Sequence, residues 1–535
     1  MTEKKQILKS ASIITLVTIA SRILGYVRDQ RITFLLGTDL IADSFILAYR
    51  IPNLLRRLVA EGSMTASFIP VFTTYLADKP KEEVWQFANR VFWTLAVILA
   101  VISIAGMIFS PWVIHAFTFF EEDPGHWDMA VELNRIIFPY IFFIGLAALA
   151  MAILNCFHIF GLPAATPILL NISIIVFSIG AVWPYFEDPA VALSVGVLVG
   201  GALQFLVQVP LLVKKGMGFK FDISLTDPGV RKVGKLMIPG FFGVGIYQVN
   251  AFVGTIFATA PKMPEGSVTA LFIADRVMEL VLGGYAIAVA TAILPMMSRQ
   301  AAAHDFEALK KTFTFSLRIV SFITIPATVG LVVMREPIIQ VLFEHGEFTA
   351  RSTEITARAL LYFALGLPAF AGVKLIVPAF YSTQDTRTPV KIAFWAMLIN
   401  GLCNAIFLKT FFQTFSNGGP ALATSIAGFF NFFALFVIFR LRFGRLGTME
   451  VAVSLLKTAV ASALMGGVCY AMLLWFHFED LTALFSQIGV LTLMIVVATL
   501  VFLGIAWMLR CPEIEEVYGI TTKKERGGNA PPPIG

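Results

Sequence analysis

Fourteen stretches of about 20 mostly apolar residues succeed one another along this chain, and no other feature restricts its fold as much. They run near residues 7–27, 33–58, 84–110, 130–158, 163–186, 190–213, 232–260, 267–298, 310–333, 355–382, 387–411, 419–443, 450–475 and 483–510. Each is long enough to cross the hydrocarbon of a bilayer as a helix, the conformation in which a segment satisfies its own backbone where water is absent. Composition agrees: 58% of the 535 residues are hydrophobic, 14% are charged and the mean hydropathy is +0.82, a balance no water-soluble domain of this size shows. The expected fold class is an all-α polytopic membrane protein with fourteen transmembrane helices.

Charge gives sidedness. Lysine and arginine gather in loops after even-numbered stretches, as at Lys79, Lys81, Lys214, Lys215, Lys220, Lys310, Lys311 and Arg440. Loops after odd-numbered stretches are acidic, as in EEDPGHWD from Glu121 and HFED from His477. The positive-inside rule then puts both termini in the cytoplasm. The net charge of +6 sits in short loops rather than on a basic face with interleaved aromatics, so no nucleic acid is expected as a partner. The basic start (Lys4, Lys5, Lys9) and first apolar run continue into Arg22 and Arg28 without a small-residue cleavage site, which reads as a retained first helix. Cys156, Cys403, Cys469 and Cys511 are scattered, without CxxC spacing or nearby histidines, so neither a metal site nor a disulfide framework is expected.

The chain resembles itself at a lag of about 226 residues, the kind of period that marks repeated transporter lobes. Arg50 falls over Arg276, Leu54 over Leu280 and Pro163 over Pro389, with Asn171 near Asn400. Two six-helix lobes follow: helices 1–6 in residues 1–215 and helices 7–12 in 216–445. Helices 13 and 14 are appended in 446–512, and a tail reading as disordered and cytoplasmic runs over 513–535. Parallel lobes related about the membrane normal suit a transporter that rocks around a central site.

Two lines put arginines where a membrane tolerates them least: SRILGYVRDQR from Ser21 and DSFILAYRIPNLLRRLVAEG from Asp43. At bilayer depth each arginine costs about 2.5–3.5 kcal/mol even on the lenient insertion scale. Residues seven apart on a helix lie within about 20° of each other, so Asp43, Arg50 and Arg57 form one stripe with Glu61 a turn beyond, and Ser21 and Arg28 form another. These stripes are expected to face a water-filled cationic cavity between the lobes, with Arg276 opposite and Lys374 as a further cation. Arginines in excess of acids imply an anionic ligand, and phosphate is the commonest anion that arginine forks grip. The competing reading is structural. Arg50, Arg56 and Arg57 would snorkel to an interface or pair with Asp29, Asp43 and Glu61, and Arg276 would make an i,i+3 pair with Glu279. Gly25, amid the charges of the first helix, is the expected point of bending.

No catalytic constellation stands out. GxSxG, HExxH and Walker strings are absent from the sequence, and no long soluble stretch could house a nucleotide site. The expectation is a transporter rather than an enzyme, without a cofactor, energised by a monovalent ion gradient, by membrane potential or by downstream use of its substrate.

Four strings resemble the MviN family, the MurJ-type lipid II flippases, within a superfamily that also holds multidrug exporters and polysaccharide flippases. They are SRILGYVRD from Ser21, ADSFILAYRIPNLLRRLVAEG from Ala42, ADRVMEL from Ala274 with ILP from Ile293, and STQDTRTPVK from Ser382. The resemblance extends over essentially the whole chain, including the two extra helices. It implies an inner-membrane protein that moves lipid II, an undecaprenyl-pyrophosphate carrying the peptidoglycan disaccharide-pentapeptide, from the cytoplasmic to the periplasmic leaflet by alternating access. Carried over residue by residue, the cavity arginines fall on Arg22, Arg28, Arg56 and Arg276. Their gate and charge partners fall on Ser21, Asp29, Asp43 and Glu61, with Arg50, Arg57 and Glu279 secondary. The last two helices would form a groove for the lipid tail. Implied partners are lipid II and membrane lipids, with cell-wall synthesis or division machinery as a further candidate, and the expected state is a monomer. The alternatives are a flippase for another polyprenyl-diphosphate oligosaccharide and an ion-coupled multidrug exporter. A cationic cavity argues against the exporter. A membrane-embedded glycosyltransferase would need a large external loop with catalytic acids, which the sequence lacks.

Overall fold

The computed structural model describes residues 3–58, 64–119, 124–180, 182–445, 447–481 and 483–514. Glu61, the acids at Glu121–Asp123 and the tail beyond 514 lie outside the described residues. The described residues are 86% helical and contain no strand. Among them nine helices are long and apolar enough to cross a membrane, as expected of a multi-pass membrane protein.

By contacts the chain divides into two compact units, Met1–Ala270 with Phe343–Ser352, and Leu271–Leu342 with Thr353–Gly535. The helices up to the second unit are α1 (Glu3–Leu36), α2 (Leu40–Arg56), α3 (Thr65–Asp78), α4 (Lys81–Ile108), α5 (Ser110–Phe117), α6 (Pro124–Ile137), α7 (Tyr140–Cys156), α8 (Gly161–Phe177), α9 (Pro189–Leu206), α10 (Val209–Lys215) and α11 (Pro228–Ala258). They continue with α12 (Ser267–Ala302), α13 (Phe306–Val333), α14 (Arg335–Phe343), α15 (Ala350–Ser382), α16 (Arg387–Thr410), α17 (Phe412–Phe415), α18 (Gly419–Phe443), α19 (Thr448–Phe476) and α20 (Leu484–Met508).

Helix covers the larger part of each expected span, but nine helices among the described residues are long and apolar enough to cross a membrane where fourteen were expected, and several boundaries move for local reasons. The first helix runs on to Leu36, unbroken at Gly25, so Arg22, Arg28 and Arg31 all ride on it. Gly37, left-handed at φ +61°, ends it. Helix α2 starts at Leu40 instead of residue 33 because Asp39 caps it, accepting from the Ala42 N–H at 2.9 Å. Pro139 separates α6 from α7, and Pro210 follows the break between α9 and α10. The fifth span stops at Phe177, short of the expected residue 186. Helix α3 was not anticipated as a separate element, since its 14 residues are too few to cross a bilayer.

In the first unit α8 packs along α1 and α9, α2 lies on α6, and α7 lies on α4 and α9. Helix α11, counted with the second lobe from the sequence, packs here against α2, α3 and α4. A Cβ on Gly200 would fall 2.8 Å from Leu170 Cδ1, so this glycine lets α8 and α9 approach closely, the way helices associate where lipid removes the hydrophobic drive. Aromatic stacking of Phe68, Phe72 and Phe87 fills the core beneath α3.

In the second unit α16 packs on α18, and α13 and α20 pack on α19. Two polar clamps fix its loop ends. Asp385 starts α16 by accepting at Oδ1 from Arg387 N (3.0 Å) and Thr388 N (2.9 Å), and at Oδ2 from Thr388 Oγ1 (2.6 Å) and from Arg442 Nη1 of α18. Burial pushes this carboxyl up, but the hydrogen bonds from Thr388 and Arg442 outweigh it and hold the pKa at about 2. Glu513, fully buried just after α20, accepts from Arg318 Nε at 2.7 Å and Ser454 Oγ at 2.6 Å.

Candidate functional site

The first unit gathers most of the residues singled out from the sequence. Arg28 leaves α1 toward α8 and α2 and is only 7% exposed. Its Nε and Nη2 both donate to one oxygen of Asp29, at 2.9 and 2.6 Å. Its Nη1 donates to Asn171 Oδ1 at 3.0 Å and to the Tyr49 hydroxyl at 3.3 Å. Asn171 in turn donates through Nδ2 to the Ser21 carbonyl at 3.0 Å, closing a loop across one face of α1. Ser21 and Arg28, which share a stripe of α1, are thus linked through an asparagine on α8, with Arg28 buried. Gly25 lies between them, and a Cβ there would stand at an ordinary 3.6 Å from Asn171 Nδ2.

A buried guanidinium that donates to a carboxylate and to neutral acceptors has the chemistry to exchange one anion for another. Removing the carboxylate would leave Asn171 and Tyr49 to keep the fork in place, while an incoming oxyanion supplies the missing charge.

The α2 stripe also exists, but in this unit it meets α11. Arg57 Nη1 donates to Gln248 Oε1 at 3.3 Å, and the Arg50 guanidinium carbon stands 5.8 Å from the Phe252 ring centroid. Residues seven apart on α2 thus face residues four apart on α11. Arg56 donates through Nε to Asn53 Oδ1 at 2.6 Å, a contact within its own helix. Arg22 is exposed.

Asp43 differs from its expected pairing with arginine. Its carboxylate accepts from backbone N–H groups of Gly266 (3.1 Å), Val268 (3.3 Å) and Thr269 (2.8 Å) and from Thr269 Oγ1 (2.8 Å). It satisfies the N-terminal amides of α12, where the helix dipole also favours a negative charge. Gly266 is left-handed at φ +86°, and a Cβ there would lie 2.2 Å from the Thr38 carbonyl oxygen. Asp43 pins that turn down.

In the second unit, Arg276 donates through Nη1 to Glu279 at 2.8 Å, the i,i+3 pair of the structural reading, with its guanidinium carbon 4.9 Å from the Phe272 ring centroid. Lys374 is half-buried on α15. Sequence reasoning did not pick out Tyr49, Asn171 or Gln248 as site residues. Asn171 offered a signal, a lone amide inside an apolar run, whereas a tyrosine in the middle of a mostly apolar helix offers none. Among the described residues no group of three or more histidines, cysteines or acids could hold a metal.

Comparison with known proteins adds the family. Residues 32–491 match the family model for "Lipid II flippase MurJ". A probable lipid II flippase MurJ of Vibrio cholerae serotype O1 is 36% identical over 486 residues, covering 89% of this chain and 90% of that one. The lipid II flippase MurJ of Burkholderia cenocepacia is 34% identical over 79% of this chain and 82% of its own length. A solved lipid II flippase MurJ in an inward closed conformation superposes with a TM-score of 0.76 at 27% identity, over 93% of this chain and 98% of that one. An inward-facing MATE multidrug transporter shares the fold at a TM-score of 0.67 and 14% identity, covering 79% of this chain and 94% of its own.

Proposed function

The chain belongs to the MurJ family of lipid II flippases, and from that premise we propose that it carries lipid II from the cytoplasmic to the periplasmic leaflet of the inner membrane by alternating access. The substrate's difficulty is its diphosphate, which cannot enter hydrocarbon with its charge unpaired. One observation supports the assignment of the site above the rest: Arg28, nearly buried inside the first unit, directs both Nε and Nη2 to a single oxygen of Asp29.

In this reading the diphosphate displaces Asp29 from Arg28 while Asn171 and Tyr49 keep the guanidinium oriented. Arg56, held by the neutral Asn53, and the exposed Arg22 add charge to the same task. Glu61 is a charge partner in the empty protein, and Arg50 and Arg57 contribute field. Arg276 in the second unit is a proposed substrate contact on its own account, released from Glu279 when an anion arrives. Asp43 serves by holding the start of α12.

The finer architecture belongs to the same proposal: fourteen membrane helices, six-helix lobes over 1–215 and 216–445, a lipid-tail groove in 446–512, both termini cytoplasmic and a monomer. Transport runs without a cofactor, driven by membrane potential or a monovalent ion. Cell-wall synthesis machinery is the proposed protein partner.

The test is binding of lipid II to purified protein by native mass spectrometry. Arg28→Gln and Arg28→Lys should each weaken binding by about tenfold or more, since a charge-assisted fork contributes about 1.5–3 kcal/mol and lysine lacks the planar geometry. Unchanged binding by both variants, with protein still monodisperse, would remove Arg28 from the site.

A further inference from the structure

The segment linking α10 to α11, residues 216–227, is built inside out for a protein loop. Its polar groups turn inward onto α4. Lys220 N–H donates to Asn89 Oδ1 at 3.2 Å, Ser224 N–H donates to Thr94 Oγ1 at 3.4 Å, and Arg90 reaches Asp222 at 2.9 Å and Asp227 at 2.8 Å. Asp227 then caps α11 through the N–H groups of Gly229 and Val230. Between these anchors the alternate side chains point out: Phe221 is 70% exposed, Ile223 42% and Leu225 65%. In a strand-like strap beside water the alternation would run the other way.

The depth of the strap accounts for the inversion. Val91 to Ile108 of α4 is uncharged, and eighteen residues at about 1.5 Å each span about 27 Å, close to the hydrocarbon thickness. The strap touches α4 at Asn89, Arg90 and Thr94, on either side of that boundary. Irregular backbone there must find its partners in protein, and the Asn89 and Thr94 acceptors supply them. Around it Lys214, Lys215, Lys220, Arg231, Lys232 and Lys235 are all exposed.

We propose that this strap is a membrane-interface anchor: Phe221, Ile223 and Leu225 enter the edge of the acyl region of the adjacent leaflet, while the six flanking cations gather anionic phospholipid headgroups. The partner is the bilayer surface itself, chosen by charge complementarity and by an apolar face at the right depth. Arg90 is the clamp that keeps the two carboxylates out of that surface.

The test uses the full chain in nanodiscs of phosphatidylcholine with or without phosphatidylglycerol. Nitroxide labels go at Phe221→Cys, Ile223→Cys and Leu225→Cys, in a background with the four native cysteines replaced by serine. Oxygen should reach all three labels better than a water-soluble nickel chelate does, and the contrast should deepen when phosphatidylglycerol is present. Replacing the six cations by glutamine should abolish that dependence while leaving the labels in lipid. Equal access of the chelate at all three positions would overturn the anchor and leave a surface for a soluble partner. Labels in lipid with no response to phosphatidylglycerol would overturn the anionic-headgroup assignment. The depth of the strap can be checked independently in a variant that keeps Trp93 and has the other seven tryptophans replaced by phenylalanine, by quenching Trp93, which meets Phe221 edge-on at 5.0 Å, with lipids brominated near the headgroup. Quenching no greater than that of the water-soluble control would count against the anchor in the same way.

Discussion

Replacing Asp43 by asparagine should loosen the start of α12 by an amount that follows from four hydrogen bonds. One carboxylate oxygen serves Thr269 N and Oγ1, both at 2.8 Å, and the other serves Gly266 N at 3.1 Å and Val268 N at 3.3 Å. Asparagine keeps one oxygen, which goes to Thr269, where the contacts are shortest. Its NH2 then faces the Gly266 and Val268 N–H groups, two buried donors with no acceptor. At about 1–3 kcal/mol for each orphaned group the loss is about 2–6 kcal/mol. Relief of the buried charge brings it toward about 2–4 kcal/mol. Hydrogen exchange reads this locally, because protection at an amide reports the free energy of opening it. Mass spectrometry of a peptide covering 263–270 should show exchange about 30-fold faster or more in the variant, since 1.4 kcal/mol is tenfold, with peptides in α8 and α9 unchanged. Exchange within threefold of wild type would mean that Asp43 does not hold this turn.

Three further outcomes follow. Asn171→Leu takes an acceptor from Arg28 and a donor from the Ser21 carbonyl, so it should cut support of growth to near that of Arg28→Gln without loss of protein from the membrane; full complementation would detach Asn171 from the site. Glu513→Ala removes a fully buried carboxylate from Arg318 and Ser454 and should destabilise the second unit by about 3–5 kcal/mol, seen as a lower thermal midpoint; an unshifted midpoint would contradict this. Asp385 has its carboxyl held at about 2 from an ordinary 3.8, so its contribution is fully present above pH 4 and lost as pH falls through 2. Thermal melts across that window should therefore fall more steeply for wild type than for Asp385→Asn, and parallel curves would refute the clamp.

Much of the fold could be read from length and apolarity alone, because in lipid a run of about 20 apolar residues has few alternatives to helix. Boundaries could not, since they rest on single residues whose effect depends on neighbours: Asp39 as a cap, Gly37 in a left-handed turn, Pro139 at a junction. The arginine stripes were legible through the helical period, which placed Ser21 and Arg28 together and aligned Arg50 with Arg57. What each stripe faces was not. Periodicity says which residues share a face and nothing about the partner, so the α2 stripe meets Gln248 and Phe252, and Asp43 meets backbone amides, where a charge-counting argument expected arginine. Backbone donors carry no sequence signal, and a carboxylate that caps a distant helix looks the same in sequence as one that pairs with a cation. The inverted strap at 216–227 was hidden for the opposite reason: its alternation of Phe221, Ile223 and Leu225 reads as an ordinary half-buried strand until the structure shows which side is out.

The claim that matters most is that this protein moves lipid II and does so through Arg28. The measurement is the leaflet in which lipid II lies, read by a toxin confined to the periplasm that cleaves only exposed lipid, in host cells depleted of the protein and resupplied with wild type or Arg28→Gln. On this account depletion stops cleavage while total lipid II rises, wild type restores cleavage, and Arg28→Gln, present in the membrane at the same level, does not. Cleavage that continues through depletion, with no accumulation of lipid II, would contradict the assignment of substrate. Cleavage fully restored by Arg28→Gln would contradict the assignment of the site.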